Sequence, residues 1–277
     1  MSQQILRNLL TGVVALAAAA AVAPTMAQEK GKIEVLWLGH AAARVTTVSG
    51  KVILIDPWLA TNPQTPAEYR KPGALGKVDL ILVTHAHEDH LGEAPALARR
   101  YKAPLWAPGG LNQTLRTLGV LPASLAPLMN QGGTITPFPG VKVTQVRAEH
   151  SSELLWTNPA TKKKEVHPGG EPVGYVIELE NGFKIYHMGD TALFGDMKFI
   201  ADYYKPDLIL IPIGGRFGMD PKDAAYATRE WLKPKYAIPI HYGTLPELTG
   251  TPKEYMQALG AAPTKVLAIT PGEKLAF

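Results

Sequence analysis

Short apolar runs recur along the chain, and their patterns predict β-strands. Leu80 to Val83 is continuously apolar, which is typical of a strand that is buried on both faces. Val141 to Arg147 alternates between apolar and polar positions, as a strand with one buried face does. Asn181-Gly182 separates two further runs, Tyr175 to Leu179 and Phe183 to His187, and is a strong signal for a hairpin turn. These runs predict sheets.

Helical spacing and helix-boundary signals add the second type of element. Pro221 after Asp220 marks the start of a helix that runs to about Leu232. Hairpins followed by alternating strands and helices predict an α/β fold in which helices cover the sheets. Residues 151–170 are polar and contain several lysines and glycines, so we predict a loop there. The other predicted elements are strands at 33–38, 44–48, 52–55, 105–106, 208–213, 236–240 and 266–269 and helices at 93–101, 111–118, 197–204 and 252–259.

The N-terminus has the features of a secretory signal peptide. Arg7 precedes an apolar run over residues 9–23, and the small residue Ala27 fits a signal-peptidase site. A membrane anchor is the alternative, but the run is shorter than the roughly 20 residues that span a bilayer. We therefore predict a signal peptide over residues 1–27, Sec-type export to the periplasm or beyond, and one domain over residues 28–277. The only membrane contact we predict is through this signal peptide.

The amino-acid composition excludes several kinds of functional site. The 277-residue chain has no cysteine, which excludes disulfides, CxxC zinc sites and a thiol nucleophile. The net charge of +4 is modest, and the basic clusters Lys162 to Lys164 and Arg99-Arg100 contain no aromatic residues. We therefore predict no nucleic-acid partner. A chain of this length can bury a sizeable core without a metal, so a bound metal is expected to be catalytic.

The heptapeptide Thr-His-Ala-His-Glu-Asp-His directly follows the buried strand and is the central chemical signal. It contains His85, His87, Asp89 and His90. Imidazole nitrogens and carboxylate oxygens suit zinc and similar metals. His85 and His87 can point the same way, because alternate residues of an extended segment do. Asp89 and His90 come after the chain turns and can address a second position nearby.

One loop cannot saturate two metal ions, so further ligands are expected from other strand ends. His150, Asp190 and His241 each follow an apolar strand, and α/β folds collect their sites at the carboxyl ends of strands. A single histidine in such a place is more often a capping or surface residue. The common placement of all three residues nevertheless favours metal binding.

With these residues in place, the chain resembles the metallo-β-lactamase superfamily, and within it the metal-dependent hydrolases related to ascorbate-6-phosphate lactonases. The resemblance covers about residues 33–275 and implies the αβ/βα sandwich of this superfamily, with two metal ions at one edge of the paired sheets. It implies one metal on His85, His87 and His150, a second on Asp89, His90 and His241, and Asp190 as the bridge. The matching segments are His85-x-His87-x-Asp89-His90, Gly189-Asp190-Thr191, Trp37-Leu38-Gly39-His40, Ile55-Asp56-Pro57-Trp58, Ile211 to Gly215, Met219 to Ala225 and Ile238 to Thr244.

The resemblance also implies a reaction. Two divalent ions, zinc by default with manganese or iron as alternatives, would share a water and lower its pKa from about 15.7 toward 7, so that hydroxide attacks the substrate. Asp89, Asp190 and His241 are the implied catalytic residues, and the predicted substrate is a small ester-like molecule, a lactone or a phosphoester. The chain lacks the long insertion of the nuclease branch and the cysteine of several β-lactamases, which disfavours both activities.

Two other functions stay open. Gly39-His40 and Asp56-Pro57 are similar to elements of the N-acylphosphatidylethanolamine phospholipase branch, which implies a lipid phosphodiesterase. A non-catalytic metal-binding module is the other alternative. Trp156, in the predicted loop, is a candidate to line a substrate pocket. The pattern does not determine the oligomeric state, nor does it separate site roles from structural roles for His40, Asp56, Arg216 and Tyr242.

Overall fold

The computed structural model describes residues 31–71 and 73–277, so the signal peptide predicted over residues 1–27 lies outside the described residues. Every helix in the described ranges is too short or too polar to cross a bilayer. The strands are β1 (Glu34–Gly39), β2 (Ala42–Thr46), β3 (Val52–Ile55), β4 (Leu80–Leu82), β5 (Leu105–Trp106), β6 (Thr134–Phe138), β7 (Val141–Arg147), β8 (Glu153–Thr157), β9 (Lys164–Pro168), β10 (Val173–Glu178), β11 (Lys184–His187), β12 (Leu208–Pro212), β13 (Tyr236–Ile240), β14 (Lys265–Val266) and β15 (Lys274–Ala276). The helices are α1 (Glu88–Leu91), α2 (Ala94–Tyr101), α3 (Gly109–Thr117), α4 (Asp196–Tyr204), α5 (Pro221–Tyr226) and α6 (Pro252–Leu259), with a 3₁₀ turn at Ala67–Tyr69 and a π-helix at Ala227–Leu232.

The strands form two large sheets and one separate hairpin. The six-stranded sheet has the order β15-β1-β2-β3-β4-β5, and the seven-stranded sheet has the order β14-β13-β12-β11-β10-β7-β6. Neighbouring strands from β3 to β5 are parallel in the first sheet, and those from β11 to β14 are parallel in the second. β8 and β9 form a two-stranded antiparallel sheet of their own.

The two large sheets pack face to face across an apolar core. Val35 of β1 and Ile177 of β10 both belong to this core and are fully buried. A second apolar cluster, which includes Leu97 of α2, lies between the first sheet and its helices. A third cluster, which includes Met197 of α4 and Tyr255 of α6, covers the outer face of the second sheet. The layers are therefore helix, sheet, sheet and helix, which confirms the predicted αβ/βα sandwich. The single domain over residues 28–277 stays a prediction.

The prediction of a loop over residues 151–170 is wrong, because this segment forms the β8–β9 hairpin. Leu154 of β8 is buried in the cluster between the first sheet and its helices, and Trp156 packs against the same cluster. Along β9, exposed residues alternate with half-buried ones, so one face of this strand is open to solvent. The lysines at and beside the tip gave the segment the polar composition that led to the loop prediction.

Smaller differences concern the ends of elements. The helix predicted from Pro221 to about Leu232 consists of α5 and the π-helix that continues it, and the Asp220 carboxylate caps its start by accepting from the backbone N–H groups of Lys222 and Asp223. The last predicted strand, 266–269, is confined to β14. β6 and β15 were not predicted.

The carboxyl ends of several strands meet at one edge of the sandwich. β1, β3 and β4 run in the same direction in the first sheet, as do β7, β11 and β13 in the second. The predicted ligands His85, His150, Asp190 and His241 follow β4, β7, β11 and β13 respectively. Because both sheets present these ends to the same side, the topology brings together residues that are far apart in sequence.

Candidate metal centre

The central motif leaves β4 as extended chain and then turns into a short helix. His87 has extended backbone angles, φ −63° and ψ 149°, and forms the N-cap of α1. Asp89 and His90 lie on α1 itself. Since alternate residues of an extended segment share a side, His85 and His87 lie together, and the helical turn redirects Asp89 and His90 to a second position.

The first group of candidate ligands comprises His85, His87 and His150. His85 Nε2 lies 2.9 Å from His87 Nδ1, and the ring centroids of His85 and His150 are 5.0 Å apart. One ring nitrogen from each of the three residues lies within 4.8 Å of the others. The predicted first ligand set is therefore assembled in space.

The second group comprises Asp89, His90 and His241, together with His40. His40 Nε2 lies 3.0 Å from Asp89 Oδ2, and His241 Nε2 lies 3.7 Å from the same oxygen. The rings of His40 and His241 are 3.9 Å apart between centroids. His40 is fully buried directly after β1 and belongs to this group, although the sequence analysis did not include it among the ligands. The sequence feature that pointed to His40 was the Gly39-His40 pair directly after an apolar strand.

Asp190 lies between the two groups. Its Oδ1 is 3.2 Å from His90 Nε2, and its Oδ2 is 2.9 Å from His241 Nε2 and 3.6 Å from His150 Nε2. The preceding residue must be glycine, because Gly189 has a φ of +61° and an added Cβ would lie 2.7 Å from Thr84 Cβ. The close approach of these two chain segments brings Asp190 to the motif.

Asp56 fixes the position of the motif through contacts with Thr84 and His90. Its Oδ1 accepts a hydrogen bond from the Thr84 backbone N–H at 2.8 Å, and its Oδ2 accepts from the Thr84 hydroxyl at 2.7 Å. Oδ2 also lies 2.8 Å from His90 Nδ1, and both Asp56 and His90 are fully buried. A carboxylate of this kind fixes the orientation of a histidine and directs its other nitrogen toward a metal.

Burial and neighbouring charges shift the pKa values of the residues in the cluster. Burial lowers the pKa of His85 and, to a lesser degree, that of His150, so both are neutral imidazoles. Burial opposes the charge of Asp190, but His241 and His90 outweigh it and hold the pKa of Asp190 well below its usual range. Burial likewise disfavours the imidazolium of His90, but Asp190 and Asp56 raise its pKa well above the usual range.

Several buried atoms at the centre of the cluster lack hydrogen-bond partners. Among the described residues these include His90 Nε2, Asp190 Oδ1 and His241 Nε2. A buried polar atom without a partner costs about 1–3 kcal/mol. Imidazole nitrogens and carboxylate oxygens that converge without hydrogen bonds are the donor set that divalent metals of the zinc type take. The residues present therefore fit a metal.

Two other candidates from the sequence, Tyr242 and Arg216, lie outside this cluster, as does His187. Tyr242 packs its ring against Trp37, with centroids 5.7 Å apart, and Arg216 is exposed with its guanidinium near the ring of Phe217. His187 Nε2 is 2.8 Å from the Ala41 carbonyl oxygen, a contact between the two sheets. These contacts favour structural roles for Tyr242 and His187.

The sequence of this chain is similar to those of known proteins. A family model described as "Beta-lactamase superfamily domain" matches residues 51–242, which include the whole heptapeptide motif and its partners from the later strands. A UPF0173 metal-dependent hydrolase from Polaromonas sp. is 64% identical over 247 residues, which are 89% of this chain and 90% of that protein. A UPF0173 metal-dependent hydrolase from Cupriavidus necator is 61% identical over 250 residues, 89% of this chain and 86% of that protein.

One solved structure is similar to this chain in both sequence and fold. Igni18, described as a novel metallo hydrolase from the hyperthermophilic archaeon Ignicoccus hospitalis, is 34% identical with a TM-score of 0.74. The match covers 89% of this chain and 98% of the Igni18 chain. The expected relation to ascorbate-6-phosphate lactonases stays a prediction.

Proposed function

Since the chain belongs to the metal-dependent hydrolases of the metallo-β-lactamase superfamily, we propose that it binds two divalent metal ions and hydrolyses a small ester-like substrate, a lactone or a phosphoester. One observation carries the proposal of two ions. Asp190 lies within 3.6 Å of His150 from the first group and within 3.2 Å of His90 and His241 from the second. A single carboxylate between two sets of ligands is suited to link two metals.

The residues of the chain divide the remaining work. A divalent ion bound here would supply hydroxide at neutral pH and would polarise a substrate oxygen. His85, His87 and His150 would hold one ion, and Asp89, His90 and His241 the other. Asp190 keeps the two ligand groups at a fixed separation, and the burial of most of the cluster strengthens its electrostatic effects.

Two positioning residues support this arrangement. Asp56 orients His90 through Nδ1. His40 Nδ1 lies 2.6 Å from the Thr244 hydroxyl while its Nε2 contacts Asp89, so the imidazole connects the loop after β13 to α1. Zinc is the default metal, and manganese or iron would be held by the same donors.

The proposal is tested with the protein that starts at Gln28. Bound metal is counted by elemental analysis, and hydrolysis of one lactone and one activated phosphodiester is measured with and without a chelator and in His85→Ala. Chelator-sensitive turnover of either substrate, absent in the variant, is the expected result. Two bound ions without turnover of any ester would instead support a non-catalytic metal-binding module.

We also propose that the mature protein acts in the periplasm or outside the cell, after cleavage following Ala27. The support is the signal-peptide pattern of residues 1–27. N-terminal sequencing of protein recovered from the periplasm or medium tests this, with Gln28 expected as the first residue. A full-length chain that stays in the cytoplasm would contradict it.

A further inference from the structure

A cavity of about 790 Å³ opens beside the candidate metal centre. His87 and Asp89, one from each ligand group, form part of its wall. Its volume is in the range of cavities that bind small organic molecules. A molecule whose reactive bond lies at the metal centre would therefore extend the rest of its structure into this space.

Most of the remaining wall is apolar. The β8–β9 hairpin contributes Leu155 and Trp156, so Trp156 does line a pocket, and the short helix α1 contributes Leu91. Further apolar side chains come from the loops after β3, α3 and β13: Trp58, Val120 and Leu245. An apolar surface of this kind stabilises a bound group in proportion to the apolar area that leaves water.

The charged residues of the wall all carry the same sign. Besides Asp89 they are Glu88, Glu93 and Glu153, and no lysine or arginine of the described residues lines the cavity. Glu93 is engaged by the backbone N–H groups of Leu59 and Ala60, at 2.7 and 3.3 Å. Glu153 has a side chain that is 59% exposed and lies 3.4 Å from His87 Nε2. Glu88 is exposed, and its charge faces no ion-pair partner among the described residues.

We propose that this cavity binds an apolar arm of the substrate that carries no negative charge. The inference rests on the proposed hydrolase function and narrows its substrate class. Beyond the metal ions themselves, an anionic arm would lie beside Glu88 and Glu153 with no lysine or arginine in the wall to offset their charge, which is unfavourable. A positively charged arm that extends away from the metal ions would be favoured by Glu88 and Glu153 and by contact with Trp58 and Trp156. The expected order of preference is cationic, then neutral, then anionic.

The first experiment measures kcat/KM of the zinc-loaded protein for three 4-nitrophenyl esters of similar size. Their acyl groups are pentanoyl, 4-(trimethylammonio)butanoyl and the monoanionic glutaryl, and each rate is corrected for spontaneous hydrolysis. We expect the anionic ester to be about tenfold or more slower than the neutral one. In the double variant Glu88→Gln/Glu153→Gln the difference should fall to about twofold to threefold. Glu165→Gln, on the same hairpin but outside the cavity wall, should leave it unchanged.

A second experiment reads binding without hydrolysis. Calorimetric titrations of the protein, with and without zinc, use hexyltrimethylammonium, 1-hexanol and hexanesulfonate. The same order of affinities is expected, and Trp156→Ala should weaken the first two ligands. An anionic ligand or ester that performs as well as the neutral one would overturn the inference while leaving the hydrolase function intact. The predicted order of binding with no turnover of any ester would support the cavity assignment and contradict the proposed function.

Discussion

At the scale of single residues, Asp56 determines which nitrogen of His90 faces the metal centre. An ionised carboxylate only accepts hydrogen bonds, and Asp56 Oδ2 lies 2.8 Å from His90 Nδ1. Nδ1 therefore carries a proton, and the lone pair of a neutral His90 is on Nε2, the atom that faces Asp190 at 3.2 Å. The orientation of one candidate ligand thus depends on a residue that does not itself reach the centre.

Asp56→Asn is expected to weaken metal binding by about 10–100-fold. The backbone should tolerate the change, because φ at this position is +44° and asparagine adopts positive φ readily. The new amide can still accept from the Thr84 N–H through Oδ1, but its NH₂ group would donate to His90 Nδ1 and move the proton to Nε2. Titration with zinc against a competing chelator measures the loss. Thr84→Ser keeps the hydroxyl and is the control, so it should bind zinc like the wild type. If Asp56→Asn also bound zinc like the wild type, the tautomer argument would be contradicted.

Asp190→Ala should lower the turnover rate by a factor of at least about 100 and should also lower the number of bound metal ions. The carboxylate contacts His90, His150 and His241, so its loss separates the two ligand groups. Asp196→Ala makes the same change at an exposed position of α4 and should have little effect on either quantity. Thermal unfolding of both variants distinguishes a lost site from a lost fold. Normal turnover in folded Asp190→Ala would rule out the bridging role.

At the scale of elements, one turn connects the two sheets. Glu180, between β10 and β11, reaches the turn between β2 and β3. Its Oε1 accepts from the Ser49 hydroxyl at 2.7 Å and the Thr47 hydroxyl at 2.9 Å, and its Oε2 accepts from the Val48 N–H at 3.2 Å. Partial burial opposes the charge, but these donors outweigh it and lower the pKa of Glu180 below its usual value.

Glu180→Gln is therefore expected to reduce the free energy of unfolding by about 1–2 kcal/mol at pH 7. Because the pKa is lower in the folded protein, the charge stabilises the fold above the unfolded pKa of about 4.3, and the stabilisation is lost as the pH falls through the folded value. Urea unfolding of both proteins should give the same difference at pH 7 and pH 5.5 and a smaller one below pH 4. Glu178→Gln, at a half-exposed ion pair with Lys142, is the control. A difference that grows as the pH falls would contradict the role of the charge.

Strands with a strong apolar pattern were predictable from the sequence, and strands with a weak one were not. β7 and β13 have the predicted bounds, because β7 alternates between apolar and polar residues and the run of β13 is almost entirely apolar. β9 has one face toward solvent and borders a lysine-rich tip, so its alternation could not be told from a loop. β15 pairs with β1 only through a contact between the two ends of the described chain, which no local pattern records.

At the scale of the whole molecule, the candidate site was predictable because its residues follow strands that end at the same edge. His150, Asp190 and His241 lie far apart in sequence, and the parallel order of the strands is what brings them together. The part His40 plays depends on the position of Thr244 and Asp89 after folding, which composition and spacing do not contain. The cavity wall likewise combines three helices, a hairpin and several loops, and the shared negative sign of its charged residues emerges only in the assembled fold.

Metal binding should therefore stabilise the entire molecule, since the cluster joins strands of both sheets. With free zinc at about 100 times the dissociation constant, the folded state gains about 2.7 kcal/mol if the unfolded chain does not bind. For a domain of this size that corresponds to a rise in Tm of roughly 5–10 °C. Thermal unfolding of the protein from Gln28 onward, with zinc and with chelator, measures the shift. His85→Ala should lose most of it, whereas His167→Ala should keep it, because His167 pairs with Glu165 on β9 and lies outside the metal centre. Equal Tm values with and without zinc, at a concentration where elemental analysis finds the metal bound, would mean that the unfolded chain binds zinc as tightly as the folded protein does and would contradict a site assembled by the fold.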